Sequence, residues 1–448
     1  MTDTPKLVES VEDLVRYFHD AETPVEDWRI GTEHEKIGIR PDTRERVPYE
    51  GERGIRALLE RIGEVDGWAP MMERDHLIGL RKQGASITLE PGGQIELSGA
   101  PLLTLGETCR EFNGHVDLLG RLAGEFDIAW LALGADPLHE VATIPQVPKA
   151  RYEIMREYLP TRGSLALEMM HATATVQANY DYSDEEDMAA KMRTAMACSP
   201  VASAIFANSS ICQGKESGFA SRRVEVWRHV DPDRCGLLPF VLEPDFGYRE
   251  YAEWALDVPI FFVVRGDRYI PGNGVSFREF LAGGFAGERP TVADWDLHLT
   301  TLFPEVRLKR VIEVRGADAV PRDLICALPA LWKGLLYDAD ACAAAWEIAR
   351  GWSGEELEAA RRDVARAGLR ARIAGRELLE VAGELVEIAG EGLRAFAEGI
   401  GTDVDERVFL DPIRAQLERG RSPGEEILEL WRGEWQGDMD CLIDYARY

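Results

Sequence analysis

Basic charge is scarce in this chain of 448 residues: 51 Lys and Arg stand against 79 Asp and Glu, for a net charge of −28. Such an acidic surface repels polyanions, which excludes nucleic acid and anionic membrane as partners. It also repels nucleotides, so a phosphate-binding site has to be a local exception built from Arg, Lys and bound cations. Long apolar runs are missing as well, and none reaches the roughly 20 residues of a membrane span. Residues 1–15 carry Asp3, Glu9, Glu12 and Asp13 but no basic stretch leading into an apolar one. No targeting peptide is legible there, and a cytoplasmic protein is expected. Cysteines are few, odd in number and widely spaced, with no C-x-x-C. Cys109, Cys198, Cys212, Cys235, Cys326, Cys342 and Cys441 therefore read as reduced, mostly packed thiols rather than a disulfide framework. Also absent are G-x-x-x-x-G-K-[ST], a G-x-G-x-x-G opening a helix, H-E-x-x-H and G-x-S-x-G, which argues against a P-loop, a dinucleotide fold, a zinc protease and a serine hydrolase.

What is present is a globular composition, 45% hydrophobic and 29% charged. No repeat, low-complexity tract or Pro/Ser-rich linker divides it. The expectation is one α+β catalytic domain over residues 1–448, with a sheet-based core at about 28–340 and a mainly helical part at about 341–448. Ser10 with Asp13, Ser183 with Glu186, Ser353 with Glu356, and Ser422 with Pro423 and Glu425 mark helix starts. Strands are expected at 28–40, on both sides of the Pro91-Gly92-Gly93 turn within 86–99, at 128–133, 172–182, 224–229, 260–264 and 307–314. Helices are expected at 54–62 and 105–126.

Four constellations carry chemistry. In GTEHEK (31–36), strand alternation puts Glu33 and Glu35 on one face, about 7 Å apart, and His34 and Lys36 on the other. Such a pair fits a solvated strand face or a cation site. The second stretch, LEPGGQIEL (89–97), adds Glu90, Gln94 and Glu96 beside a glycine turn. Four carboxylates and an amide oxygen without Cys or paired His select Mg²⁺ or Mn²⁺ over zinc. Third, Thr173, Thr175, Gln177 and Asn179 form a polar ladder that fits either an edge strand facing water or a polar ligand. Fourth, Arg307, Lys309, Glu313 and Arg315 recur at period two, as a phosphate grip with its metal or a ladder of salt bridges would. Arg223, Trp227 and Arg228, and Lys149, Arg151 and Tyr152, add cationic groups for substrate carboxylates.

GTEHEK (31–36), LEPGGQIELSGAP (89–101), RYEIMREYLP (151–160), ATVQANYDYS (174–183), LPFV (238–241), ALDVPIFF (255–262), HLTTLFPEVRLKRVIEVRGAD (298–318) and ALPALWKGLLYD (327–338) together resemble the plant-type glutamate–cysteine ligases of plants and many proteobacteria. The likeness runs from about residue 10 to the end of the chain. It implies a glutamine-synthetase-like fold, in which a curved, mostly antiparallel sheet forms a funnel surrounded by helices. It also implies the first step of glutathione biosynthesis: ATP phosphorylates the γ-carboxylate of L-glutamate, and the amine of L-cysteine attacks the γ-glutamyl phosphate. Under the resemblance Glu33, Glu35, Glu90, Glu96 and Glu313 become ligands of Mg²⁺ or Mn²⁺, with Gln94 beside them. Arg151 and Arg223 hold glutamate in the company of Thr175, Gln177 and Trp227, and Lys309, Arg310 and Arg315 are the catalytic phosphate contacts.

The same likeness implies a bacterial-type cytoplasmic enzyme, a monomer or homodimer, because no transit peptide is readable. The region matching the redox-sensitive plant hairpin (269–277 and 283–288) contains no cysteine, so that switch is expected to be absent. Phe261 stands where plant relatives carry a tyrosine near the acceptor. The alternatives are a ligase of the same chemistry with a different amine, a guanidino kinase on a similar sheet, and a non-catalytic binding protein.

Overall fold

The computed structural model describes residues 6–448; residues 1–5 of the acidic N-terminal stretch lie outside the described residues. Nine strands form one sheet: β1 (Ile30–Ile39), β2 (Ala69–Glu73), β3 (His76–Lys82), β4 (Ala85–Leu89), β5 (Ile95–Ser98), β6 (Ala129–Leu131), β7 (Val176–Tyr180), β8 (Val306–Leu308) and β9 (Ile312–Val314). Their order is β8-β9-β7-β1-β5-β4-β3-β2, with β6 paired to the far end of β1, and every pairing is antiparallel. The helices that matter below are α1 (Val11–His19), α2 (Leu105–Phe126), α3 (Ala150–Tyr158), α4 (Ala166–Ala172), α5 (Arg222–Trp227), α6 (Ala327–Leu336) and α7 (Leu378–Gly399).

Alternation along β1 separates two environments. Thr32, His34 and Lys36 are buried on the face toward α2. There the His34 ring meets Phe112 edge-on, and its Nε2 pairs with the Tyr448 hydroxyl at 2.7 Å. Burial pushes the Lys36 ammonium well below its ordinary value, and its Nζ bonds only the His34 carbonyl among the described residues. The opposite face keeps Glu33 and Glu35, and the chain's acidic chemistry collects on that side.

After Ser353 the chain is mainly helical, as expected: Gly354–Ala367, α7, Asp411–Arg419, Pro423–Arg432 and Met439–Ala446 follow one another. The capping boxes of Ser10, Ser353 and Ser422 form as read. Helix α7 packs along α6 through glycine, because a Cβ on Gly334 would lie 2.2 Å from the Ala389 carbonyl oxygen. The last residues return to the sheet, where the Tyr448 amide donates to the Trp130 carbonyl of β6 at 3.0 Å.

Several expectations are corrected. Residues 224–229 are not a strand: 224–227 belong to α5, because the Ser221 hydroxyl accepts the Val224 amide and starts a helix, and 228–229 form a turn. The strand expected at 172–182 begins at Val176, and α4 occupies 166–172. Residues 307–314 are a hairpin, with the Lys309 amide bonded to the Val311 carbonyl at 2.9 Å and Arg307 opposite Glu313. The helix expected to start from Ser183 is capped by Asp184, whose side chain accepts the Asp187 amide. Two cysteines are not free: Cys109 on α2 is disulfide-bonded to Cys326 at the start of α6, 217 residues away. No local spacing could announce a pair that two helices bring together. The other five cysteines are free.

Closing so long a loop stabilises the folded chain by about 2–4 kcal/mol through the unfolded ensemble. Cys326→Ser is expected to lower the thermal midpoint measured without reductant, and dithiothreitol is expected to bring the parent protein down to the same value.

Candidate active site

The sheet face that carries Glu33 and Glu35 forms one wall of a cavity of about 200 Å³. Register explains the convergence. Glu35 lies directly opposite Glu96, Glu33 lies opposite Gln177 on its other side, and Thr88 of β4 lies opposite Glu96. Since partners across an antiparallel pair share a face, all of them point into the same space. Glu90 and Gln94 reach it from the turn between β4 and β5. Gly92 is required in that turn, because a Cβ would lie 2.2 Å from the His171 carbonyl oxygen, and Gly93 has a φ of +79°.

Glu33, Glu35, Glu90 and Glu96 line the cavity, and among the described residues none of the four is in an ion pair. Their partners are neutral. Glu33 accepts from the Asn179 amide at 3.3 Å, Glu35 from the Thr175 backbone N–H at 3.1 Å, and Glu96 from the Thr88 hydroxyl at 2.6 Å; the Tyr152 hydroxyl lies 3.4 Å from Glu90. Burial, with Glu313 and Glu96 nearby, pushes Glu33 up to about 7, and burial beside Glu90 and Glu96 raises Glu35 well above the carboxylate range. Glu96 is raised as well, by burial and by Glu90. Gln94 donates to the Thr173 carbonyl at 2.8 Å and leaves its buried Oε1 without a partner.

This donor set is all oxygen, with one orphaned buried amide oxygen, and it fits a hard divalent cation. Among the described residues no three acidic or histidine side chains already close on one point. The carboxylates therefore converge on a shared space rather than forming a finished cage, as suits an ion that keeps waters and phosphate oxygens in its shell.

The opposite charge comes from the β8–β9 hairpin, α3 and α5. Arg307 and Arg315 line the cavity, while Glu313 lies behind them, fully buried. Arg307 grips the Glu313 carboxylate with Nη2 at 2.7 Å and Nε at 3.0 Å, Lys309 reaches it at 2.6 Å, and Arg315 makes a further short contact. Three cations against one carboxylate hold Glu313 well below its ordinary range despite burial. They leave a net positive wall facing four acids. Gln177 accepts from Arg315 Nη1 at 2.8 Å, which fixes that guanidinium from the side. Arg151 and Arg223 also line the cavity; Arg223 has no carboxylate partner among the described residues, and its Nη2 donates to the Arg315 carbonyl at 3.0 Å. Beneath, the buried ammonium of Lys149 bonds the Leu89 carbonyl at 2.7 Å, and burial beside Arg151 pushes it down to about 7.

Glu33, Glu35, Glu90, Gln94, Glu96, Arg151, Thr175, Gln177, Arg223, Trp227 and Arg315 are thus brought to one cavity. Three expected site residues are not. Glu313 departs from the expectation of an open metal ligand, because its carboxylate is already saturated by cations. Lys309 meets the cavity only through Glu313. Arg310, at the hairpin tip, turns the other way and stacks on the Tyr17 ring of α1 at 4.6 Å, on the side where period two, which separates it from Arg307 and Lys309, also puts it. Phe261 does not reach the cavity either; it is buried under the Arg234 guanidinium at 3.8 Å, and its neighbour Phe262 is the lining residue. Sequence reasoning missed the apolar end, formed by Met155, Met169, Met170, Phe262, Leu297 and Phe303. Nothing in single apolar residues on separate elements distinguishes a cavity wall from core.

Residues 29–444 match the family model of glutamate-cysteine ligase family 2. The chain belongs to that family. Among its relatives, the chloroplastic glutamate–cysteine ligase B of Oryza sativa subsp. japonica is 44% identical over 98% of this chain and 87% of its own length. The chloroplastic enzyme of Medicago truncatula is 44% identical over 98% and 85%, and that of Arabidopsis thaliana is 42% identical over 98% and 83%. Of solved structures, a Francisella tularensis glutamate–cysteine ligase in complex with AMP aligns with a TM-score of 0.55 at 12% identity, covering 94% of this chain and 87% of that one. A bifunctional glutathione synthetase of Pasteurella multocida gives 0.52 at 12% identity, covering 97% and 53%. At such identities these two establish the fold alone. The expected cytoplasmic location is corrected: these plant relatives are named as chloroplastic.

Raised carboxylate values have a definite consequence. The folded protein holds a proton on Glu33 between about pH 4.5 and 7, where the unfolded chain has released it, so this contribution to stability is complete at low pH and is lost as pH rises through about 7. With EDTA present, the thermal midpoint is expected to fall from pH 5 to 7.5. Glu33→Gln is expected to flatten that fall, and Mg²⁺ to offset it.

Proposed function

We propose that this chain joins the γ-carboxylate of L-glutamate to the amino group of L-cysteine at the expense of ATP, through a γ-glutamyl phosphate, as the first step of glutathione biosynthesis. The observation that supports it most is the meeting of four unpaired carboxylates with Arg151, Arg223, Arg307 and Arg315 in one cavity, in a chain of the glutamate-cysteine ligase family. Phosphoryl transfer between two anions needs that combination: charge neutralisation by cations that carboxylates hold, and guanidinium groups on the transferring phosphate.

Glu33, Glu35, Glu90 and Glu96, with the free Oε1 of Gln94, would hold Mg²⁺ or Mn²⁺. Bound there, the ion would neutralise the charge between the terminal phosphate and the substrate carboxylate. Arg315 and Arg307 are oriented by Glu313, so they meet the phosphate without rearranging. Arg223, without a carboxylate partner among the described residues, is suited to the α-carboxylate of glutamate, and Arg151 to a second anionic group on the Glu90 side. Trp227 closes the wall between Arg223 and Arg315, with the two guanidinium carbons 5.7 and 5.8 Å from its ring. The methionine and phenylalanine end suits a small thiol side chain and excludes the water that would hydrolyse an acyl phosphate.

ADP release is expected to require both L-glutamate and L-cysteine, with γ-glutamylcysteine detected by mass. Turnover with another amine and none with cysteine would establish a different acceptor, and phosphate transfer without amide formation would establish a kinase. Glu96→Gln and Arg315→Ala are each expected to lower kcat on the order of 10²-fold or more, with the circular dichroism of the parent.

A further inference from the structure

Behind the cavity, outside the residues assigned a role so far, sits the fully buried carboxylate of Asp318. It pairs with no Arg or Lys among the described residues and accepts three hydrogen bonds instead: from the Asn208 backbone N–H at 2.7 Å, the Ser209 hydroxyl at 2.6 Å and the Ser221 hydroxyl at 2.9 Å. Both serines hold the start of α5. The Ser221 hydroxyl accepts the Val224 amide at 3.1 Å as the helix cap, and the Ser209 hydroxyl accepts the Arg223 amide at 3.1 Å.

A serine hydroxyl has a single hydrogen. Because Asp318 takes it from both serines, each oxygen is left as an acceptor turned toward α5. The carboxylate therefore fixes the direction of both hydroxyls, which an uncharged acceptor does less strongly. Asp318 is itself fixed from two sides. Its own strand segment bridges Thr175 next to the cavity, and Gly134 lies so close that a Cβ there would sit 2.4 Å from the Asp318 Cβ. The far end of the chain of contacts is the Arg223 guanidinium, which donates to the Arg315 carbonyl at 3.0 Å.

We infer that Asp318 is a positioning residue for glutamate binding: through Ser209 and Ser221 it sets the start of α5 and thereby the place of the Arg223 guanidinium in the cavity. This rests on the reading above that Arg223 receives the glutamate α-carboxylate. The role is separate from phosphate handling, since Arg307 and Arg315 are oriented by Glu313 on another element.

The test is steady-state kinetics on the full chain with saturating L-cysteine, measuring KM for glutamate, KM for ATP and kcat for Asp318→Asn, Ser221→Ala, Ser221→Thr and Arg223→Ala, together with thermal midpoints. Asp318→Asn is expected to raise the glutamate KM about tenfold while the ATP KM stays within twofold. Ser221→Ala is expected to raise it about threefold, and Ser221→Thr, which keeps the hydroxyl, to restore the parent value. If Asp318→Asn fails to fold, the two Ser221 variants decide alone. An unchanged glutamate KM in the folded variants, or equal rises in both KM values, overturns the positioning role. Arg223→Ala separates the two readings: an unchanged glutamate KM there overturns the assignment of Arg223 itself, whereas a rise there without one in Asp318→Asn overturns only the role of Asp318.

Discussion

Four carboxylates that share one small cavity repel one another, and the rest of the site is arranged around that repulsion. At about 7 Å and an effective dielectric of about 20, each ionised pair costs about 2 kcal/mol. Glu33, Glu35, Glu90 and Glu96 meet this with hydrogen bonds from neutral groups and, among the described residues, without an ion pair of their own. The protein has cations to spare nearby, yet commits Arg307, Lys309 and Arg315 to Glu313 one layer behind. The acids are thereby left short of positive charge, and the guanidinium groups are held ready for negative charge. A divalent cation and a phosphate chain answer both deficits together, which neither one does alone.

The antiparallel sheet makes such an arrangement possible at modest cost. Along β1, Glu33 and Glu35 face the cavity while Thr32, His34 and Lys36 are buried on the back, so function and core alternate along the same strand. On β1 the back face absorbs His34 and a Lys36 whose charge burial suppresses. The disulfide between α2 and α6 and the close passage of α7 over Gly334 stiffen the helical layer that covers that back face. Loops and helix starts carry the remaining groups: the Pro91-Gly92-Gly93 turn brings Glu90 and Gln94, and the capped start of α5 brings Arg223 and Trp227.

Much of this was legible in the sequence where period two is strict. GTEHEK and the two arms of LEPGGQIEL gave the right faces for Glu33, Glu35, Gln94 and Glu96, since alternation alone assigns a face once a residue lies in a strand. Capping boxes located the C-terminal helices for a similar reason, as they are local. Failures arose where local pattern was ambiguous or the partner was distant. Val224 and Val226 alternate with charged residues as a strand would, but a single turn of helix tolerates the same pattern when Ser221 caps it. Residues 307–314 turn back as a hairpin, so Arg307 meets Glu313 directly across the pair rather than along one strand, although the shared face and the outward turn of Arg310 follow from period two in either case. The pairing of Cys109 with Cys326 and the apolar end of the cavity depend on elements far apart in the chain. The expectation of a cytoplasmic protein rested on the lack of a legible targeting pattern in residues 1–15, and the naming of the plant relatives as chloroplastic runs against it.

The most direct test is a crystal structure grown with Mn²⁺ and a non-hydrolysable ATP analogue, in which anomalous scattering locates the metal independently of any assumed chemistry. Manganese is expected to be coordinated by oxygens of Glu33, Glu35 and Glu96 and by the terminal phosphates, with Arg307 and Arg315 on the phosphate side. Manganese found elsewhere, or the nucleotide seated with its phosphates away from these carboxylates, would contradict it.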